Sequence, residues 1–411
     1  MRYYKQNYRK DWKYTMEITF ADRCKDLKPS AIRELFKKIS VEGAITFSAG
    51  SPSPLSFPVE EFATIAADIF KNDSTNALQY SVTEGYPKLR KQIADRLKER
   101  FYVGADYDDL IITTGGQQAI DLTAKALCNE GDVVICENPS FIGALNAFRA
   151  YNLKLVGVDM DDDGINVEKL EKALKENKNV KLIYLIPTFQ NPTGITMPLK
   201  KRKAVLELAQ KYNVFILEDD PYVELRFTGV PEPEIKSLDT DGRVIYCGSF
   251  SKILSAGMRL GYLCAHKDIV NKAIVLKQVC DTHTNILSQM LASRFMEEYN
   301  LDAHIKQIKD LYRSRCSLML YCINQCFPDC VKHTIPEGGM FIWATLPEGY
   351  DAAEFAKKAM EHKIAIVSGA TFLADPEQKS NAFRLNFSTP SDEDIVEGIK
   401  RLGDLLKEEL K

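Results

Sequence analysis

No apolar run in the 411 residues approaches the roughly 18 residues of a membrane-spanning helix, which argues against a membrane partner. Neither sign of charge is in excess: 54 Lys and Arg stand against 57 Asp and Glu, a net charge of −3. That balance gives no electrostatic reason to expect nucleic acid or an acidic membrane surface as partner. The ten cysteines include no Cys-x-x-Cys pair. Cys316, Cys322, Cys326 and Cys330 fall at helical spacing in "CSLMLYCINQCFPDC", with His333 the one histidine nearby, so they read as small apolar thiols on a helix face and no metal is expected. Without a disulfide framework, a reduced, cytoplasmic protein is expected. The opening "MRYYKQNYRKDWKYTMEITF" is basic and aromatic but lacks the apolar centre of a signal peptide. It reads as a solvated or subunit-hugging tail, with Met16 an alternative start. There is no Walker loop and no Gly-x-Gly-x-x-Gly, so a nucleotide is disfavoured. The sequence also has no internal repeat and no low-complexity segment.

What is present is a repeated grammar. From about residue 75 to 280, short apolar segments alternate with amphipathic ones: "DLIITTGG" before "QQAIDLTAKALCNEG", "DVVICENPSF" before "IGALNAFRAY", "VKLIYLIPTFQNPTG" before "PLKKRKAVLELAQKY", then "VFILEDDPY", "RVIYCGSF" and "RLGYLCAH". β-branched runs bounded by Gly, Pro, Asn and Asp predict strands covered on both faces, and the alternation predicts a mostly parallel, doubly wound sheet. After about residue 282 come two long helical stretches through Met290–Glu298 and His304–Cys326. "GGMFIWATLP", a helix from Asp351, "KIAIVSG", "AFRLNFS" and a helix from Ser391 follow. The expected organisation is an N-terminal segment 1–59 that completes a small α+β domain at 301–411, with a large domain over 60–300 between them.

In such a sheet a ligand belongs at the carboxyl ends of the strands. There the polar residues gather. Gly115-Gly116-Gln117 bridges a strand and a helix, where free N–H groups and the positive dipole end suit an anion; a plain turn is the alternative. "QNPTG" is either a turn or a way to aim the Asn191 amide from a strand end. "LEDDPY" is an exposed acidic turn by default, yet alternation turns Asp219 away from Glu218 and Asp220. An inward Asp219 would favour a protonated ring nitrogen on a heterocycle, and Tyr222 could donate to an oxygen on the same ring. Lys252, between Ser249, Ser251 and Arg259, is a structural cation or a nucleophile; a nucleophilic lysine needs a lowered pKa, and Arg259 suits a phosphate.

Taken in order, Asn-Pro-Thr-Gly, Asp-x-x-Tyr, Ser-x-Ser-Lys with an arginine seven residues on, and the late arginine of "FRLNFS" resemble the class I and II aminotransferases. These are enzymes of fold type I that use pyridoxal phosphate (PLP). "LQYSVTEGYPKLR", "TTGGQQAID" and "FSAGSPSPLSFP" are similar to the 2-aminoadipate and kynurenine/aminoadipate subgroup, and to the catalytic domain of MocR-type regulators. The resemblance implies an α/β fold whose large domain has a mostly parallel seven-stranded sheet flanked by helices, plus a smaller α+β domain. It implies that Lys252 anchors PLP as a Schiff base and shuttles the substrate proton. Asp219 would hold the ring nitrogen protonated, Asn191 and Tyr222 the phenolic oxygen, and Phe141 the ring face. Gly115, Gly116, Gln117, Ser249, Ser251 and Arg259 would hold the phosphate, Gly116 through its N–H alone. Tyr80 would reach the neighbouring subunit's phosphate in a homodimer. Arg384, with Asn191 and Gly50, would receive the substrate α-carboxylate, and Arg33 the substrate side chain. The implied reaction carries the amino group of an L-amino acid to a 2-oxo acid, 2-oxoglutarate being expected.

Two rivals stand beside it. Ser249-Phe250-Ser251-Lys252 also satisfies the Ser-x-x-Lys of serine acyl-enzymes, but the Ser-Asp-Asn and Lys-Thr-Gly that accompany it do not occur. A PLP-sensing regulator would carry a winged-helix domain, for which the roughly thirty residues before Arg33 are too few by domain-size norms. A PLP-dependent C–S or β-lyase would use the same lysine.

Overall fold

The structure is a computed structural model that describes residues 18–21 and 43–411. Arg33 and the N-terminal basic segment before Met16 lie outside the described residues. Strand β1 (Ile45–Thr46) is the first regular element among the described residues. The large sheet is then built from β2 (Asp108–Thr113), β3 (Val133–Asn138), β4 (Lys154–Asp161), β5 (Gly164–Ile165), β6 (Val180–Leu185), β7 (Phe215–Asp219), β8 (Val244–Ser249) and β9 (Gly261–His266). Their order is β2-β9-β8-β7-β6-β3-β4-β5. The fold is thus the α/β fold expected, with one strand more than seven: the two-residue β5 hooks back antiparallel onto β4. β4 was not among the segments picked out above, and only Val158 in it is buried.

Strands β3, β4, β6, β7 and β8 run parallel. Their side chains alternate between two apolar clusters. Val134, Cys136, Leu182, Tyr184, Leu217, Ile245 and Cys247 face one side, and Val133, Ile135, Ile183, Leu185, Ile216 and Val244 the other. Each large apolar side chain so buried contributes about 1.5–3 kcal/mol. β9 lies antiparallel between β2 and β8. The connection 250–260 is too short for the crossover of a dozen or more residues that a parallel return requires. It doubles back over the carboxyl end of β8 instead, and carries Ser251, Lys252 and Arg259 there.

A second sheet has the order β10-β11-β14-β13: β10 (Lys332–His333), β11 (Phe341–Thr345), β13 (Val367–Ser368) and β14 (Ala382–Asn386), all antiparallel. "KIAIVSG" is not one strand. Its first half, β12 (Ile364–Ala365), pairs in parallel with β1, and Ile366 separates it from β13. The long helix Leu301–Cys326, capped by Asn300, packs on the C-terminal helix Asp392–Glu409, capped by Ser391. Cys316 and Cys322 turn from that helix into the apolar core, and Cys330 lies exposed beyond its end. Among the described residues, no helix is long and apolar enough to cross a membrane.

Candidate active site

The carboxyl ends of β2, β6, β7 and β8 converge with β14 of the second sheet. After β2 the chain turns at Gly115, whose φ of +75° and ψ of 169° only glycine adopts readily, and enters the helix Gly116–Leu127. A Cβ on Gly115 would stand 2.5 Å from Arg259 Nη2, so the guanidinium lies directly over this turn. Gly261 closes the other side, where a Cβ would come within 2.6 Å of Gly116 N. Arg259 holds φ at +54° and donates to the carbonyls of Ala256 (3.2 Å) and Thr114 (3.5 Å). Ser249 Oγ accepts from the N–H of Ser251 at 3.1 Å. A helix N-terminus, an exposed arginine and two serines thus share one small cup, with the donor set of an anion site.

Beside the cup, Gln117 and Phe141 meet over Gly143, where a Cβ would fall within 2.5 Å of both side chains. The Gln117 amide donates to Gly143 O at 2.8 Å. Phe141 is the residue before the helix Ile142–Arg149, and its half-buried ring forms a wall rather than core.

All three acids of "LEDDPY" are buried, which overturns the exposed-turn reading, and they part as alternation requires. Glu218 accepts from the N–H groups of Ile235 and Lys236 at 2.8 Å each, and clusters with Asp220 and Glu234 beside fully buried Arg202. Burial, with the charge of Glu234 added, pushes Glu218 up to about 8. Asp219 points to the opposite side. Tyr184 donates to its Oδ2 at 2.7 Å, and its Oδ1 faces the opening above Gly116, 3.9 Å from where a Cβ would sit there. Burial raises Asp219 to about 6, against the lowering effects of Tyr184, Cys247 and the Lys252 charge.

Lys252 Nζ reaches across to donate to Gly50 O at 2.6 Å. Burial, then the positive charges of Arg384 and Arg259, lower its pKa to about 8, with Asp219 pulling the other way. Arg384 in β14 is 1% exposed and lies between two rings, 4.2 Å from the centre of Phe341 and 4.9 Å from that of Phe372. It donates to Asn191 Oδ1 at 2.9 Å and Ser48 O at 2.8 Å, while its Nε is buried without a protein partner. Burial brings its pKa down to about 10. Asn191 Nδ2 donates in turn to Tyr222 Oη at 3.4 Å. Burial raises the Tyr222 phenol. Lys252, Asp219, Tyr222, Asn191, Arg384 and Gly50 therefore surround one space beside the cup. Tyr80 stands apart, 82% exposed, its ring edge-on to His283 at 5.9 Å.

Sequence reasoning missed several supports. Tyr184 and Cys247 back Asp219, and Ser48, Phe341 and Phe372 hold Arg384. Tyr184 had a signal: a phenol inside an otherwise aliphatic strand must find a partner when buried. The other four had none of their own.

The residues present fit PLP on their own chemistry. A depressed lysine amine suits an aldehyde, a buried carboxylate a ring cation, and the glycine turn under Arg259 a phosphate. A family model described as aminotransferase class I and II matches residues 42–402. An aromatic-amino-acid aminotransferase of Thermococcus litoralis is 43% identical over 399 residues, 96% of this chain and 95% of the relative. The solved kynurenine aminotransferase of Pyrococcus horikoshii, in complex with PMP, superposes with a TM-score of 0.92 at 41% identity, covering 95% of this chain and 98% of that one. The α-aminoadipate aminotransferase of Thermus thermophilus, complexed with N-(5′-phosphopyridoxyl)-L-leucine, gives 0.87 at 37% identity over 95% and 98%.

Proposed function

Since this chain belongs to the class I and II aminotransferases, and is a PLP-dependent enzyme of amino-group transfer, we propose that Lys252 is the residue that anchors the cofactor and carries the proton. The observation that carries this reading is the meeting of Lys252 with Asp219 and the Gly115–Arg259 cup at the carboxyl ends of adjacent strands. PLP supplies an aldehyde for the amine and a protonated ring that takes up the electron pair of the substrate α-carbon.

The chain's own residues do the rest. Lys252 Nζ would take the proton from the substrate α-carbon and carry it to the cofactor. Asp219, fixed by Tyr184 on one oxygen, offers the other to the ring nitrogen. Asn191 and Tyr222 hold the ring oxygen, and Phe141 covers the ring face. The backbone N–H groups of Gly116 and Gln117, with Ser249, Ser251 and Arg259, hold the phosphate. Arg384 receives the substrate α-carboxylate, whose charge offsets the cost of a buried guanidinium with an unpaired Nε. Gly50 leaves room beside it.

We take the donor to be an L-amino acid with an aromatic or long acidic side chain, a choice supported by the names of the relatives, and the acceptor to be 2-oxoglutarate on the resemblance alone. Arg33 is assigned to the donor's side chain on resemblance alone. Exposed Leu78, Tyr80 and Val82 support a second copy covering this edge, with Tyr80 completing the neighbouring phosphate site. Nine free thiols among the described residues support a reducing, cytoplasmic setting.

Two measurements test the reading. With L-phenylalanine, L-kynurenine or L-2-aminoadipate and 2-oxoglutarate, glutamate should appear in step with the new 2-oxo acid; a 2-oxo acid without glutamate overturns it. The free amine is the nucleophile, so below about pH 8 Lys252 is protonated and inert. The rate at which cofactor-free protein takes up PLP should therefore rise about tenfold per pH unit up to that point, then level off.

A further inference from the structure

Behind the phosphate cup lies a buried lysine that the proposed chemistry does not use. Lys277, in the helix Lys267–Cys280, is fully buried, and its ammonium makes contacts of 2.7–2.9 Å to three side chains. It donates to Gln118 Oε1, to both oxygens of Asp281 and to Thr284 Oγ1. Each acceptor also holds Thr114, the residue before Gly115. Thr114 N donates to Gln118 Oε1 at 2.8 Å, and its Oγ1 donates to Asp281 Oδ2 at 2.8 Å and lies 3.1 Å from Thr284 Oγ1. Gln118 Nε2 closes the ring on Asp281 Oδ2 at 2.9 Å. On the cup side, Thr114 O is the acceptor for Arg259 Nη2. On the outer side, Thr284 O meets His283 Nδ1 at 2.9 Å and accepts from Gln289 Nε2 at 2.8 Å, and the His283 ring braces Tyr80.

We infer that Lys277 is a positioning residue for the phosphate end of the cofactor: it locks Thr114, and through it the Gly115–Gly116 turn and the seat of Arg259, in the same network that sets the His283 wall behind Tyr80. The physical reason is that a backbone turn binds an anion well only when its N–H groups are already aimed, and glycines alone do not hold an aim. Three charge-assisted bonds from one buried ammonium remove that freedom without placing a further charge in the cup. Burial drives the Lys277 pKa down and the Asp281 carboxylate drives it back, so the pair is self-contained. Thr282, at φ +64°, shows that the loop is held in a costly conformation to bring Asp281 and Thr284 together.

The inference rests on the phosphate-cup reading, and the test separates the two. Holoenzyme is resolved and titrated back with PLP and, in parallel, with pyridoxal, which has the same ring and aldehyde but no phosphate. Wild type should prefer PLP. Lys277→Met should lose about tenfold or more in PLP affinity while binding pyridoxal within twofold of wild type, leaving buried acceptors unpaired only at the phosphate end. Thr114→Val, which removes one hydroxyl and leaves the lysine in place, should show a smaller loss of the same selectivity, and decides the matter alone if Lys277→Met does not fold. Wild type that takes both ligands equally overturns the cup reading and this inference with it. Wild type that discriminates, beside variants that discriminate as well or weaken for both ligands alike, overturns the inference only.

Discussion

Lys252→Ala is expected to lower amino transfer by about 10⁴-fold or more while the protein keeps its fold. The residue has two roles in the proposed chemistry, covalent anchor and proton carrier at the α-carbon, and a positioned acid–base group alone accounts for about 10²–10⁴-fold. Arg384, with a pKa of about 10 and its Nη1 and Nη2 engaged by Asn191 and Ser48, is a poor proton carrier at neutral pH. Folding should survive because Lys252 makes one side-chain hydrogen bond among the described residues, to Gly50 O, and lies in a connection rather than in a strand. Stopped-flow absorbance of the loaded protein against an L-amino acid measures the loss, and a thermal melt within a few degrees of wild type confirms the fold. Borohydride treatment of wild type followed by peptide mapping should place a pyridoxyl group on Lys252. A variant that keeps even a hundredth of the rate would mean that another base moves the proton.

Asp219→Asn is the second large effect, with a fall of about 10²–10⁴-fold expected. An asparagine can still accept from Tyr184, so the strand end stays in place, but the negative charge that keeps the ring nitrogen protonated is gone. Removing one partner of a buried ion pair costs about 3–5 kcal/mol, which converts to that range. The pH dependence gives a second signature. Without a ring cation beside it, desolvation outweighs Tyr184, Cys247 and the Lys252 charge and holds Asp219 at about 6. Between its unfolded value near 4 and about 6, the cofactor-free folded state binds more protons than the unfolded state, so its stability falls as pH rises through that window. A bound ring cation favours the ionised carboxylate and opposes that loss. Cofactor should therefore raise the melting temperature of wild type more at pH 7 than at pH 5, and raise that of Asp219→Asn about equally at both. Equal shifts in wild type would remove Asp219 from the ring nitrogen.

How far the site could be read from residues alone differed from one position to the next. Lys252 and Arg259 were legible as cations set among small and apolar residues after a β-branched strand, and their roles came with the resemblance. Asp219 was legible because period-two alternation in a strand dictates which of three neighbouring acids turns inward. Strand β4 was not, because its short apolar stretch Leu155–Val158 is interrupted by Gly157 and only Val158 in it is buried. Nor was the direction of β9, which follows from the length of the connection before it rather than from anything in the strand itself. Tyr80 is visible as an exposed aromatic, but what covers it lies in the neighbouring copy that we propose.

By itself, then, the sequence determined the α/β alternation and the strand ends at which polar groups collect, the lysine at 252 among them. Those depend on neighbours within a few residues. Only the tertiary structure decided that Arg384 clamps Asn191 across 193 positions of chain, that Tyr184 fixes Asp219, and that Lys277 holds Thr114. Such pairings join groups from different elements. A buried donor takes whichever acceptor packing brings within reach, and packing is set by the whole core at once.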